Sequence, residues 1–99
     1  MRDAGNSYGV GIGDTAGRFQ RNNPNTLIGG FAGMGVSAQS DGRYNTLLGY
    51  TSGYLLRDGY YNVIIGGDSA GRNINDGYGN IILGTYAGKN IVDGDYNII

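Results

Sequence analysis

The chain contains no cysteine, histidine, tryptophan or glutamate, and each absence removes a class of chemistry. Without cysteine there is neither a disulfide framework nor a thiolate site. Without histidine the chain lacks the most common general base and metal ligand. All eight acidic residues are aspartates, and with seven lysines and arginines the formal net charge is −1. This balance gives no basic surface of the kind that nucleic-acid binding needs, so we expect no nucleic-acid partner.

Long apolar segments are missing as well. No stretch approaches the roughly 20 apolar residues of a membrane-spanning helix, so we expect no membrane insertion. The first ten residues, MRDAGNSYGV, contain no apolar run of the kind that directs secretion. Aspartates are the only carboxylates that could form the acid and base pair of a glycosidase. Because the aspartates recur with a fixed period, we expect no enzyme activity and no cofactor.

A repeat accounts for most of what the chain does contain. Its 99 residues include 21 glycines, 11 asparagines and 9 tyrosines, and a glycine-rich repeat of about twenty residues is typical of a solenoid. The copies read N-x-x-x-G-x-x-[AS]-G, except that glycine replaces asparagine in the first copy, that the fourth copy, NVIIGGDSAG, has one additional residue, and that the last copy is incomplete. The copies begin at residues 9, 25, 45, 62, 80 and 97, after a lead-in of residues 1–8.

The segments between asparagine and glycine are rich in Ile, Leu, Val and Thr, which predicts short strands near 26–29, 46–49, 63–66 and 81–84. A second aliphatic position after each [AS]-G pair is compatible with a second strand. It is occupied by Val36, Leu56, Ile74 and Ile91. The pattern therefore predicts an all-β fold, a parallel β-solenoid (β-roll) with rungs of about 17 residues.

Asp-Gly pairs end four of the copies and predict tight turns. Glycine accepts a positive φ, and aspartate hydrogen-bonds its own backbone. We expect these turns at Asp41 and Gly42, Asp58 and Gly59, Asp76 and Gly77, and Asp93 and Gly94.

The stretch GVGIGDTAG, residues 9–17, has the spacing of a dinucleotide-binding turn. Such a turn requires a buried strand before it and a helix after it. The following RFQRNNPN is too short and too rich in turn residues for that helix. The stretch is therefore interpreted as the first copy of the repeat.

The predicted strands are aliphatic on both faces. Side chains alternate along a strand, so one face can fill the interior of the solenoid while the other needs a different cover. A rung of about 17 residues has little chain left to supply that cover. Identical neighbouring chains are the simplest source, because homo-oligomers usually close symmetrically.

The repeated N-x-x-x-G-x-x-A-G resembles repeats of phage tail fibres and of trimeric autotransporter adhesin heads, over residues 9–99. The resemblance implies left-handed parallel β-rolls in a side-by-side homotrimer. It also implies that the first and third strand positions fill each roll, while the middle position faces the threefold axis. The implied solenoid core is Ile12, Ile28, Leu48, Val63, Ile65, Ile81 and Leu83. The implied oligomer interface is Leu27, Leu47, Ile64, Ile82 and Ile99.

The expected function is a structural fibre segment of a phage tail or similar surface appendage, which holds a host-recognition part away from the particle. Its partner is itself, as a homotrimer that can also join end to end, and its location is the virion tail fibre or an extracellular surface. The lack of a visible signal, stalk and anchor favours a phage fibre over a cellular adhesin or a self-assembling filament.

Two ligand-binding interpretations remain as alternatives. A tyrosine ladder could bind a cell-surface glycan as a carbohydrate-binding module, although stacked rings also form for packing reasons alone. The turn aspartates could form a cation ladder, but calcium needs six to eight oxygen ligands, so we expect no metal. The asparagines at the strand starts are expected to form an internal amide ladder or to cap turns.

Overall fold

The computed structural model describes residues 9–18, 24–35 and 42–99. These residues contain no helix and form five short strands. The strands are β1 (Val10–Ile12), β2 (Thr26–Ile28), β3 (Thr46–Leu48), β4 (Val63–Ile65) and β5 (Ile81–Leu83). Each strand pairs in parallel with the next copy, so the sheet order is β1-β2-β3-β4-β5. The predicted all-β parallel solenoid is confirmed, with about four turns.

Equivalent residues of successive copies lie side by side in the sheet. Leu27 pairs with Leu47, and Leu47 pairs with Ile64. The copies differ in length, but the register holds because the additional residue of the fourth copy lies after β4, in the stretch Gly66–Ser69. The strands thus remain stacked while the loops absorb differences in length.

The strands direct their middle residues into the roll. The buried middle residues are Leu27, Leu47, Ile64 and Ile82. Small residues from the turns on the opposite side of the roll, which we call the arc, pack against them: Ala16, Ala32, Ser52 and Ala70. Room between the two sides is tight: a Cβ on Gly53 would come within 2.8 Å of Leu47 Cδ1. From β2 to β4, the large aliphatic residue in the middle of each strand therefore lies opposite one small residue.

The face assignment implied by the resemblance is wrong. The residues expected at the oligomer interface are interior, with Leu27, Leu47, Ile64 and Ile82 at most 1% exposed, whereas Ile99 is half-exposed. The residues expected in the core lie on the outside of the sheet and are exposed or half-buried. They are Ile12, Ile28, Leu48, Val63, Ile65, Ile81 and Leu83.

The physical reason is the asparagine at the start of each strand. Asn25, Asn45, Asn62 and Asn80 are buried. Because successive side chains of a strand alternate between faces, a residue two positions after an inward asparagine also points inward. The middle position is that residue, so the first and third positions face outward.

The buried asparagines form a continuous amide ladder along the roll. Asn62 Nδ2 donates to Asn45 Oδ1 of the preceding rung (3.0 Å) and to the Gly77 carbonyl of its own copy (2.9 Å). Asn62 Oδ1 accepts from both the backbone N–H and Nδ2 of Asn80, at 3.0 Å each. The same contacts recur along the ladder from Asn25 to Asn97. Every hydrogen-bonding position of the Asn62 amide is thereby used.

The aliphatic position after each [AS]-G pair belongs to the interior without forming a strand. Leu56 and Ile74 are fully buried, and Ile91 packs partly against the same core. The three residues lie in turns and irregular backbone. Val36 lies outside the described residues.

The Asp-Gly turns differ from the prediction in their backbone conformation. Gly59, Gly77 and Gly94 do not adopt positive φ, and Asp41 lies outside the described residues. The left-handed conformation instead falls on the residue immediately before the asparagine. It is adopted by Tyr44 (59°), Tyr61 (60°), Gly79 (70°) and Tyr96 (58°).

Glycine is nevertheless required at these turns, because adjacent rungs approach closely. A Cβ on Gly77 would collide with the carbonyl oxygen of Gly94 in the next rung and come within 3.2 Å of Asn80 Nδ2. The carbonyl of each of these glycines also accepts the amide hydrogen bond of the ladder, as Gly77 does from Asn62. The glycine of the Asp-Gly motif therefore connects the turn to the asparagine ladder through its carbonyl group.

Candidate protein interface

The outer face of the sheet is a continuous aliphatic surface. It consists of the first and third residues of each strand, together with Ile98, which bridges to Ile81. Its apolar members are Val10, Ile12, Ile28, Leu48, Val63, Ile65, Ile81, Leu83 and Ile98, and Thr26 and Thr46 complete it. We call this set the outer sheet face. None of its residues carries a charge.

The outer sheet face is large for a surface exposed to water. Leu48 is 41% exposed, Leu83 55% and Ile98 82%. Six of its nine apolar members are between 41% and 82% exposed, and they lie side by side because the strands pair in register. Contiguous apolar patches on the surface of a protein mark interaction sites. This face is therefore the strongest candidate for a protein interface.

A cluster of tyrosines lies at the turns that precede the strands. Tyr44 and Tyr61 stack with ring centroids 5.1 Å apart and planes inclined by 9°. Tyr60 and Tyr78 stack at 4.9 Å and 2°. Tyr96 meets Tyr78 edge to face at 5.3 Å, and its ring lies over Gly79, where a Cβ would approach it within 2.7 Å. Each stacked pair brings one face of each ring against the tyrosine of the neighbouring rung.

A second aromatic group lies on the arc beyond the strands. Phe31 contacts Tyr50 and Tyr54 edge to face, with centroids 5.9 and 6.1 Å apart. The Arg72 guanidinium lies 5.0 Å from the Tyr54 ring centre, and Lys89 Nζ lies 5.5 Å from that of Tyr86. The contacts of Phe31 and Arg72 link successive rungs on the surface of the roll, whereas Lys89 and Tyr86 belong to the same rung.

The turn aspartates form hydrogen bonds and ion pairs between rungs. Arg57 Nη2 lies 2.8 Å from Asp76 Oδ2, and Arg57 Nε lies 3.1 Å from Asp58 Oδ2. The Asp76 backbone N–H donates to Asp93 Oδ1 at 3.3 Å. In the described part of the chain, no three His, Cys, Asp or Glu side chains are arranged to hold a metal ion.

Two ionisable groups at these turns have shifted pKa values. Asp76, and then Asp58, raise the pKa of the Arg57 guanidinium above its ordinary value. The Asp95 carboxylate, with smaller contributions from Tyr96 and Tyr60, raises the pKa of the Tyr78 hydroxyl above 10.0. Both shifts hold each group in its usual protonation state near neutral pH, and neither creates a base that titrates there.

The chain matches no family model, no curated protein and no solved structure. Its fold and surface therefore carry the functional argument. Over residues 9–18, 24–35 and 42–99, no helix is long and apolar enough to cross a membrane.

The resemblance implied that the outer sheet face lies in the interior, and the sequence pattern did not correct this because the residues of that face are as aliphatic as those of the core. The signal that distinguishes the two sets is the spacing from the asparagine. Asn45, Leu47 and Gly49 share one face, whereas Thr46 and Leu48 share the other. Both threonines of the strands fall on the outer face, which is also consistent with its exposure.

Proposed function

We propose that this chain is a structural segment of a phage tail fibre or similar surface appendage. In this proposal three copies lie side by side with their outer sheet faces toward a common axis, and the trimer holds a recognition part away from the particle. The role is mechanical rather than catalytic. The observation that carries the proposal is the uncharged aliphatic face along all five strands.

The composition of the outer sheet face supports a protein partner. The face runs across all five strands, and six of its nine apolar members are between 41% and 82% exposed. Its lack of charge is typical of the core of a permanent interface, which is more apolar than the surrounding surface. Transient partners more commonly present polar contacts.

The regular rung spacing supports a second copy of the chain as that partner. The aliphatic positions recur from strand to strand at the spacing of a parallel sheet, about 4.8 Å. Another copy presents the same spacing, so its side chains can interdigitate with these over the whole length. A closed symmetric arrangement then covers the face of every copy.

The same architecture would serve equally well in a cellular adhesin or filament. A phage fibre and a cellular appendage differ in what the segment is attached to. The proposed location is the virion tail fibre or an extracellular surface. The cysteine-free sequence is compatible with either. A rigid segment without disulfides must obtain its stability from its ladders and from contacts between subunits.

A pair of matched substitutions tests the proposal. Leu48→Asp places one carboxylate per chain on the outer sheet face, where three copies would bury like charges together at high cost. Val92→Asp makes the same kind of change at a similarly exposed aliphatic residue, half-exposed and outside the strands. Because both side chains point outward, neither substitution disturbs the interior.

We expect light scattering after gel filtration to give three protomers for the parent and Val92→Asp, and one protomer for Leu48→Asp. Circular dichroism should show unchanged β-structure in all three proteins. A Leu48→Asp variant that keeps the parent mass would exclude the outer sheet face as the interface. Equal dissociation of both variants would show that surface charge in general, rather than this face, controls assembly.

A further inference from the structure

The stacked tyrosine pairs place phenol rings of adjacent rungs against each other in an alignment that favours a reaction between them. Tyr44 and Tyr61 belong to adjacent rungs, as do Tyr60 and Tyr78, and the two pairs have no residue in common. Their planes are inclined by only 9° and 2°. Their ring centroids lie 5.1 and 4.9 Å apart, close to the spacing of neighbouring strands. Each phenol ring therefore lies against the phenol ring at the equivalent position of the neighbouring rung.

These rings are also accessible to a reagent in solution. Tyr44 and Tyr61 are more than half exposed, and Tyr60 and Tyr78 are half-buried. The contacts of this cluster are made among its own tyrosines, since Tyr60 also meets Tyr61 edge to face at 5.5 Å. A radical formed on one phenol thus has another phenol as its nearest aromatic neighbour.

We propose that the two stacked pairs are sites of oxidative tyrosine cross-linking, which joins adjacent rungs by covalent bonds. The required oxidant is a peroxidase-type one-electron oxidant that uses hydrogen peroxide. The chain has no cysteine, so tyrosine is the residue through which it can gain an oxidative cross-link. This proposal concerns contacts within one chain and stands independently of the trimer.

The reaction balances for each pair. Each of the two phenols gives up one hydrogen atom, as a proton and an electron, and becomes a phenoxyl radical. The two radicals combine by a carbon–carbon bond between the ring positions adjacent to the hydroxyls. The hydrogens on those two carbons then transfer to the phenolic oxygens, which restores both aromatic rings. One hydrogen peroxide accepts the two hydrogen atoms removed and becomes two water molecules.

Pre-alignment within one chain favours this coupling over random encounters. Holding two reacting groups together converts a bimolecular step into a unimolecular one, with effective concentrations far above those of free molecules. Tyr50 and Tyr86 are as exposed as Tyr44. Neither has a stacked tyrosine partner among the described residues. They therefore serve as internal comparators for accessibility without stacking.

The experiment treats the full chain with horseradish-type peroxidase and hydrogen peroxide and measures dityrosine fluorescence. Trypsin cleavage after Arg43, Arg57 and Arg72 separates the partners, with Tyr44 in 44–57, Tyr60 and Tyr61 in 58–72, and Tyr78 in 73–89. Fragment sequencing of linked peptides then identifies the joined residues. Tyr44→Phe and Tyr78→Phe each remove one reactive phenol while keeping the stacked ring, and Tyr50→Phe is the matched control.

We expect linked peptides that join Tyr44 to Tyr61 and Tyr60 to Tyr78, each lighter by two hydrogen atoms, in chains that run as single protomers on a denaturing gel. Each of the two Phe variants should lose about half of the fluorescence, and the double variant nearly all of it, because the pairs share no residue. Tyr50→Phe should change neither product. Links centred on Tyr50 or Tyr86, or a yield unaffected by the double variant, would overturn the proposal.

Discussion

At the scale of single residues, the asparagine ladder determines which face of each strand is inside. An amide has two donors and an acceptor oxygen that takes two bonds, and Asn62 uses all of them inside the roll. A buried polar group that is fully hydrogen-bonded avoids the desolvation cost of an unsatisfied one. No other residue type of this size offers donors and an acceptor in both axial directions. The ladder therefore explains why the repeat retains asparagine at the start of each strand.

Replacing one central member of the ladder should be costly. Asn62→Ala removes the acceptor of the Asn80 backbone N–H and Nδ2, at 3.0 Å each, together with the donor to the Gly77 carbonyl. Because buried unsatisfied groups cost about 1–3 kcal/mol each, we expect a loss of about 3 kcal/mol or more. Asn73→Ala, which removes one exposed hydrogen bond to the Lys89 carbonyl, should cost less than about 0.5 kcal/mol. Urea unfolding followed by circular dichroism measures both, and equal losses would show that the ladder adds nothing specific.

At the scale of strands and turns, the close contact between the backbones of adjacent rungs constrains the sequence more than the type of each turn does. The strands have only three residues each, and the turns on either side bring carbonyl groups of one rung against the glycines of another. At Gly29 a Cβ would lie 2.6 Å from the Gly49 carbonyl carbon. The left-handed conformation is tolerated at tyrosine and threonine, for example at Tyr61 and Thr51, where glycine would have been expected. At Gly29, Gly49 and Gly77, glycine is thus required because the backbone of the next rung leaves no room for a side chain.

The reason for glycine at the Asp-Gly turns can be tested by adding a single methyl group. Gly77→Ala places a Cβ against the Gly94 carbonyl oxygen, a backbone atom of the next rung that is held in place by the hydrogen bond from Asn80 Nδ2. Overpacking of this kind typically costs about 1–3 kcal/mol. Gly67→Ala is the control, because its Cβ would meet only Thr85 Oγ1, at 3.3 Å, on the exposed surface. We expect thermal unfolding to show a clearly lower midpoint for Gly77→Ala alone, whereas similar midpoints for both variants would refute the steric explanation.

The period of the repeat was sufficient to predict the strands, their parallel pairing and the solenoid. The face of each strand that points into the roll was not predicted correctly. Leu47 and Leu48 are equally apolar, and a strand with two aliphatic faces shows no alternation of apolar and polar residues that would distinguish inside from outside. The asparagine provides the missing reference once it is known to be buried. The positive φ at Tyr61 instead of Gly59 was also missed, because a Tyr-Asn step carries no recognised turn signal.

At the scale of the whole molecule, the roll is too narrow to cover its own sheet. The interior of each rung is filled by one strand residue, one small arc residue, one asparagine and an aliphatic such as Leu56 or Ile74. The first and third strand residues consequently remain outside. In the proposed trimer, the outer sheet face forms the contacts between copies, while the inner ladders hold each copy together.

The molecular mass of the unmodified chain in solution tests this central claim most directly. Sedimentation equilibrium at micromolar concentration should give a single species of three protomers, that is, three times 10.4 kDa. A dimer would retain the outer sheet face as the interface but contradict the threefold arrangement. A stable monomer at these concentrations would contradict the claim itself, because the aliphatic face would then remain exposed to water without a partner.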